Sequence, residues 1–249
     1  SHALMLTLTY HGNACFEIVS EEARIIVDPY LSENDETDSD VDAYLEDERG
    51  LDAICVTHLA YDHFGDCAVL ARELAVPVIT EPAAGYVLEQ MGIPDEQVYT
   101  IVWGMTATVA DLTVRALEAH HISTRTIAGE SVTGLPLSFL ISDDEHTVYH
   151  LGDTSIFSDL ELFGRLYEPD VALIGVGQAR RPPSGPVEKN IAELSTDEAV
   201  LIAEWLGSET VIPMHYLPDE RAAFVEAIRA TDAAPPVTPL DPGEEYSLP

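Results

Sequence analysis

The chain of 249 residues is 46% hydrophobic, enough for one sizeable core, and no apolar run approaches the roughly 20 residues that a membrane helix needs. Asp and Glu total 45 against 11 Lys and Arg, a formal net charge of −34, which argues against tight binding to nucleic acid; the apolar content argues against disorder. Three cysteines (Cys15, Cys55, Cys67) without a C-x-x-C pair exclude a disulfide framework or a zinc ribbon.

The reading is a soluble, cytoplasmic protein whose acidic surface suits very high salt, where a Debye length of about 3 Å screens self-repulsion. Ser1-His2-Ala3-Leu4 reads as a tag remnant ahead of Met5, with a single domain over 5–249. Segments 6–10 and 15–19 form a hairpin joined at Gly12-Asn13, and strand 24–27 continues it. The acidic tract 32–50 reads as a solvated loop with at most one short helix. A buried strand over 53–57 runs into a polar cluster from His58 to Asp66. Phe64, Ala68, Ala71 and Leu74 recur at helical spacing and predict one helix from that cluster to Leu74. Then follow strand 78–80, helix 81–91 stopped by Gly92 and Pro94, and β-like segments 98–100, 106–109 and 112–117. Strands 137–141 and 147–151 pair across Asp143-Asp144-Glu145. Helix 159–167, central strand 171–176, a Pro/Gly-rich loop over 180–190, helix 196–206, strand 210–213, helix 219–230 and a Pro-rich tail complete the chain. The alternation implies α/β layers around one core.

Several strands end in a polar residue that a strand does not need. Strand 53–57 ends at His58, with Asp62 and His63 close behind; 112–117 leads into His120 and His121; 147–151 ends near Asp153, and 210–213 near His215. If the strands lie side by side, their ends share one rim, and imidazoles with carboxylates there make a nitrogen/oxygen site suited to zinc, manganese or iron. No cysteine lies in such a cluster. Tyr216 is either a proton donor to a leaving group or a packing residue, and Tyr61 either touches substrate or covers the site. His150 reads as structural, His146 as part of an exposed turn, and His11 has no assigned role. Arg180 and Arg181 either hold an anionic substrate group or pair at the surface. Gly175-Val176-Gly177 lacks the third glycine of a dinucleotide site, and no G-x-S-x-G occurs.

Thr57-His58-Leu59-Ala60-Tyr61-Asp62-His63-Phe64-Gly65-Asp66 resembles the T-H-x-H-x-D-H-x-G-D signature of the metallo-β-lactamase superfamily. The resemblance runs from Tyr10-His11-Gly12-Asn13 through Val27-Asp28-Pro29-Tyr30, Ala119-His120-His121-Ile122-Ser123 and Leu151-Gly152-Asp153-Thr154 to Pro213-Met214-His215. It is closest to the compact branch that includes ascorbate-6-phosphate lactonases and N-acyl phospholipid-cleaving phosphodiesterases. It implies a single-domain α/β fold, a four-layer αββα sandwich, with a binuclear metal site at one edge.

Matched residue by residue, the resemblance implies that His58 and His121 ligate a first metal, that Asp62, His63 and His215 ligate a second, and that Asp153 bridges them. His121 is preferred to His120 because the family reads Ala-x-His there. Ala60 departs from the pattern by standing where the family has a histidine, and Asn13 departs likewise in the first hairpin. The first site then keeps only His58, His121 and Asp153, which implies one well-held metal and a second held weakly or not at all. The implied activity is hydrolysis of a small ester, lactone or phosphodiester through a metal-activated water that Asp62 orients. The alternative is a non-catalytic, metal-binding relative that binds a metabolite or a protein partner. Expected partners are a small, anionic substrate and a second copy of the chain, with no nucleic acid and no membrane.

Overall fold

The computed structural model describes residues 5–177, 185–186 and 193–248. The first half alternates strands and helices: β1 Leu6–Tyr10, β2 Phe16–Val19, β3 Arg24–Val27, α1 Val41–Glu46, β4 Ala53–Val56, α2 Tyr61–Phe64, α3 Cys67–Leu74, β5 Val78–Thr80, α4 Pro82–Gln90 and β6 Val98–Thr100. The second half holds β7 Thr106–Val109, β8 Leu112–Glu118, β9 Ser123–Ile127, β10 Glu130–Gly134, β11 Leu137–Ser142, β12 Thr147–His150, α5 Asp159–Tyr167, β13 Val171–Gly175, α6 Thr196–Leu206, β14 Thr210–Met214, α7 Pro218–Arg229 and β15 Glu245–Leu248.

One sheet runs β15-β1-β2-β3-β4-β5-β6, and the other runs β14-β13-β12-β11-β8-β7. Alternation within β1 (Leu6, Leu8 and Tyr10 buried) and β8 (Leu112, Val114 and Ala116 buried) gives each sheet one inward apolar face. These faces meet in a core that also takes Phe16, Ile25, Phe139, Val148, Leu173 and Ile212. Strands β4 and β13 are buried on both sides, because helices cover the outer faces: α1, α3 and α4 over the first sheet, α5, α6 and α7 over the second. The layers are therefore α, β, β, α, as the family resemblance implied.

Three expectations need correction, and one hairpin was not anticipated. The single helix from the motif to Leu74 is two helices, broken at Gly65, whose φ of +37° is left-handed and where an added Cβ would lie 2.4 Å from the Pro29 carbonyl oxygen. Asp66 follows and accepts from the Leu31 and Ser32 amides (2.8 and 2.9 Å), so the break is pinned. The tail is not wholly irregular: β15 pairs antiparallel with β1. The hairpin β9–β10 went unforeseen, since its residues are polar and half of them are exposed. The acidic tract holds one short helix, α1, as expected, and is anchored by Tyr44, which is buried and donates to Glu17 (2.8 Å), and by Asp38, 2.8 Å from His11. His146 is buried rather than exposed, held in its turn by Asp143. Apart from 185–186, the predicted loop over 180–190, with Arg180 and Arg181, lies outside the described residues, as do the four residues before Met5.

Candidate metal centre

Parallel strands leave their C-terminal ends on the same edge, and this topology assembles the cluster. Strand β4 delivers His58, with Asp62 and His63 on the short helix after it. Strand β8 leads to His121, β12 to Asp153 and β14 to His215. At the centre stands one oxygen, Oδ2 of Asp153, with the Nε2 atoms of His63, His215, His121 and His58 at 3.1, 3.4, 3.6 and 3.8 Å. Asp62 Oδ2 lies 3.1 Å from His215 Nε2 and 3.9 Å from His63 Nε2.

The imidazoles are aimed from behind. Asp28, fully buried at the end of β3, accepts from the Thr57 amide (2.8 Å), the Thr57 hydroxyl (2.7 Å) and His63 Nδ1 (2.7 Å). The Thr57 hydroxyl spends its proton on Asp28 and so accepts from His58 Nδ1 at 2.9 Å. Each ring is thereby fixed with Nε2 toward Asp153, the arrangement by which an outer carboxylate or hydroxyl orients a metal-ligating histidine. Asn13 performs the same office for the acid: its Nδ2 donates to the Asp62 backbone carbonyl (2.7 Å), while its own carbonyl accepts from the His215 amide (2.8 Å). Asn13, Asp28 and His215 all hold left-handed backbone, with φ of +52°, +49° and +51°. Such conformations in side-chain-bearing residues gather where the geometry of a site is overdetermined.

The residues fit divalent metal. Among the described residues, His58 Nε2 and His63 Nε2 are buried ring nitrogens without a hydrogen-bond partner, close to a carboxylate but not aligned to donate to it. Leaving such atoms unsatisfied is costly unless something else meets them. One atom each from His58, His63 and Asp153 lies within 4.8 Å of the others, and so do atoms of Asp62, His63 and His215.

Proton balance gives the same answer. Burial lowers the His58 pKa to about 3, with the neighbouring His63 charge adding to the effect, so this ring stays neutral and ready to ligate. Burial also opposes a charge on His63 and His215, but carboxylates override it. Asp153, Asp28 and Asp62 hold His63 well above its usual value, and Asp153 with Asp62 raises His215 to about 9. Burial works against the anions too, yet the surrounding imidazoles keep Asp62 and Asp153 below the usual carboxylate range. Without metal, protons on His63 and His215 balance the carboxylates; a divalent cation takes over that task.

The structure separates the remaining candidates. His120 turns outward, bonded to Glu118 (2.7 Å) and stacked on Phe157 at 4.1 Å, while its neighbour His121 faces Asp153. His150 has a structural place: Nε2 donates to the Ala14 carbonyl (2.8 Å), and Nδ1 accepts from the Gly152 amide (3.1 Å). Tyr216 directs its hydroxyl to the Leu240 carbonyl (3.5 Å) and its ring to Tyr10 and Arg221, the packing alternative of its two readings. Ala60 precedes α2 and accepts from the His63 and Phe64 amides through its carbonyl, and its methyl offers no ligand atom. One residue had gone unnoticed. Glu193 places a carboxylate oxygen within 4.8 Å of ligand atoms of both His121 and Asp153.

A sandwich with strand-end imidazoles gathered around one carboxylate defines a metal-centre protein of the metallo-β-lactamase fold. Residues 23–216 match the family described as the beta-lactamase superfamily domain. The chain is 30% identical over 247 residues to a UPF0173 metal-dependent hydrolase of Methanopyrus kandleri, covering 97% of this chain and 99% of the relative. It is 31% identical to a protein of the same name from Rubrobacter xylanophilus, over 96% and 95% of the two chains. It also superposes on Igni18, a metallo hydrolase of Ignicoccus hospitalis, with a TM-score of 0.80 and 25% identity over 98% and 99% of the chains. The chain belongs to the UPF0173 metal-dependent hydrolase family within the metallo-β-lactamase superfamily.

Proposed function

We propose that the protein is a metal-dependent hydrolase of a small ester, lactone or phosphodiester, with zinc in the centre and manganese or iron as the other candidates. The observation that carries this reading is the single Asp153 oxygen ringed by four imidazole nitrogens, two of them buried without a hydrogen bond. Metal bound there supplies Lewis acidity toward a carbonyl or phosphoryl oxygen and activates a water for attack. His58, His63, His121 and His215 would hold it through Nε2, with the carboxylates of Asp153 and Asp62. Asp62, tied at its backbone by Asn13, orients the attacking water through its carboxylate. Asp28 and Thr57 keep the rings from turning, so the geometry is set before substrate arrives.

Exposed apolar side chains next to the ligands in the chain favour an organic substrate. Tyr61, Ile122 and Leu217 stand within two residues of a ligand and are 69%, 52% and 64% exposed, large apolar side chains where a polar surface is otherwise abundant. The motif's likeness to lactonase and phosphodiesterase relatives supports the same substrate classes. The net charge of −34 favours a medium of high salt. Among the described residues, no helix is long and apolar enough to cross a membrane.

The test loads the protein with zinc, manganese or iron(II) and offers it lactones, aryl esters and phosphodiesters, with Asp153→Asn as the control. Turnover that follows metal content and disappears in the control is expected. A fully loaded protein inert on all three classes would refute the hydrolase reading and leave the binding-protein alternative.

A further inference from the structure

The loss of a histidine at Ala60 leaves the first metal position one donor short, yet the fold brings a carboxylate to that side of the cluster. Glu193 lies just ahead of α6, at a point where the chain is firmly held. Ser195 caps the helix and shares a reciprocal capping box with Glu198: the Ser195 amide donates to the Glu198 carboxylate (2.7 Å), and the Ser195 hydroxyl accepts from the Glu198 amide (3.3 Å). Leu194 between them is 2% exposed and packs into the outer core with α6 and α7. With the residues on its C-terminal side fixed in this way, Glu193 reaches the ligand atoms of His121 and Asp153, all three within 4.8 Å of one another. Two oxygens or nitrogens bound to one cation at about 2.1 Å each lie no more than about 4.2 Å apart, so this spacing is that of a slightly relaxed ligand set.

We propose that Glu193 takes the coordination position that Ala60 leaves open, so that the first site holds its own divalent ion through His121, Asp153 and Glu193, with His58 as the remaining imidazole. This rests on the cluster's being a metal centre, the reading given above. It replaces the expectation of one firm and one failing site. Each half then has two imidazoles and two carboxylates: His58, His121, Asp153 and Glu193 on one side, His63, His215, Asp62 and the shared Asp153 on the other. Exchanging an imidazole for a carboxylate also changes selectivity. It adds one negative charge opposite the ions and makes the first site harder, which favours iron or manganese there relative to an all-imidazole site.

The experiment strips the full-length protein with chelator, reloads it with manganese or zinc, and measures ions per chain by elemental analysis. Affinities come from competition with a chromogenic chelator, so neither readout depends on turnover. Wild type is expected to hold two ions. Glu193→Gln, which keeps the side-chain volume, and Glu193→Ala are expected to hold one, with first-site affinity lowered roughly 100-fold or more, at or beyond what loss of an outer-shell partner costs. Adding Ala60→His to Glu193→Ala is expected to restore the second ion, which a merely misfolded variant would not permit. Two ions with unchanged affinities in both Glu193 variants would overturn the proposal while leaving the metal centre intact. So would a single ion in wild type that the variants retain. A wild-type chain that takes up no metal would refute the metal-centre reading itself.

Discussion

Asp28 never touches the metal position, yet it should govern how tightly metal is held, and Asp28→Asn isolates that role. The exchange conserves shape, and asparagine tolerates the left-handed backbone at this position (φ +49°). The fully buried carboxylate accepts three hydrogen bonds, two of them at Oδ2: from His63 Nδ1 and from the Thr57 hydroxyl, both at 2.7 Å. An amide nitrogen in the Oδ2 position donates instead of accepting. His63 then accepts at Nδ1, its single neutral proton moves to Nε2, and the atom facing Asp153 loses its lone pair. The Thr57 hydroxyl also loses its acceptor, which frees the group that orients His58. Loss of such a partner lowers metal affinity roughly 10- to 100-fold, or about 1.4–2.7 kcal/mol. Chelator competition measures the affinity, and nitrogen-15 spectra of the histidine rings report the tautomer of His63. A folded Asp28→Asn protein with wild-type affinity and its Nδ1 proton retained would refute the reasoning.

Three further outcomes are expected. For the metal-free protein, His215 carries a pKa of about 9 against about 6.5 unfolded, and His63 is raised as well, so both stabilise fully below pH ~6.5. The His215 share is lost as pH rises through about 9, and the His63 share as pH rises through its own raised value. His58, lowered to about 3, and the depressed Asp62 and Asp153 act in reverse, withdrawing stability as pH falls. Melting temperature without metal should therefore peak near pH 6.5 and decline toward 9, with the alkaline decline absent in loaded protein; a flat alkaline limb in metal-free protein would contradict this balance. Gly65→Ala should destabilise by about 2–5 kcal/mol, combining a left-handed alanine with the 2.4 Å approach to the Pro29 oxygen, and chemical denaturation would expose a neutral result. With 45 acidic residues against 11 basic ones, thermal stability should climb between 0.1 M and 2 M KCl as the Debye length shrinks from about 10 Å; a melting temperature indifferent to salt would sever the link between charge and medium.

Much of the centre could be read in one dimension because so much of it is local. His58, Asp62 and His63 fall within six residues, and His121, Asp153 and His215 each follow a strand whose apolar run ends abruptly. Such chemistry needs particular residue types at the ends of buried strands, and that pattern survives without coordinates. Alternation along β1 and β8 likewise marks one inward apolar face on each sheet.

Other features depended on contacts between distant residues. β9 and β10 lack an apolar face strong enough to announce a hairpin, and β15 is a strand only because β1 presents an open edge to it. The break at Gly65 arises from the approach of the Pro29–Tyr30 backbone, which no local propensity contains. Ala60 was conspicuous as a missing ligand, whereas Glu193 was one acid among 45, without motif or periodicity to set it apart. Only folding carries it to His121 and Asp153. Residue type and local spacing thus determined what chemistry this chain holds. Tertiary packing decided which residues complete it, because a ligand is defined by distances of a few ångströms that separation along the chain does not encode.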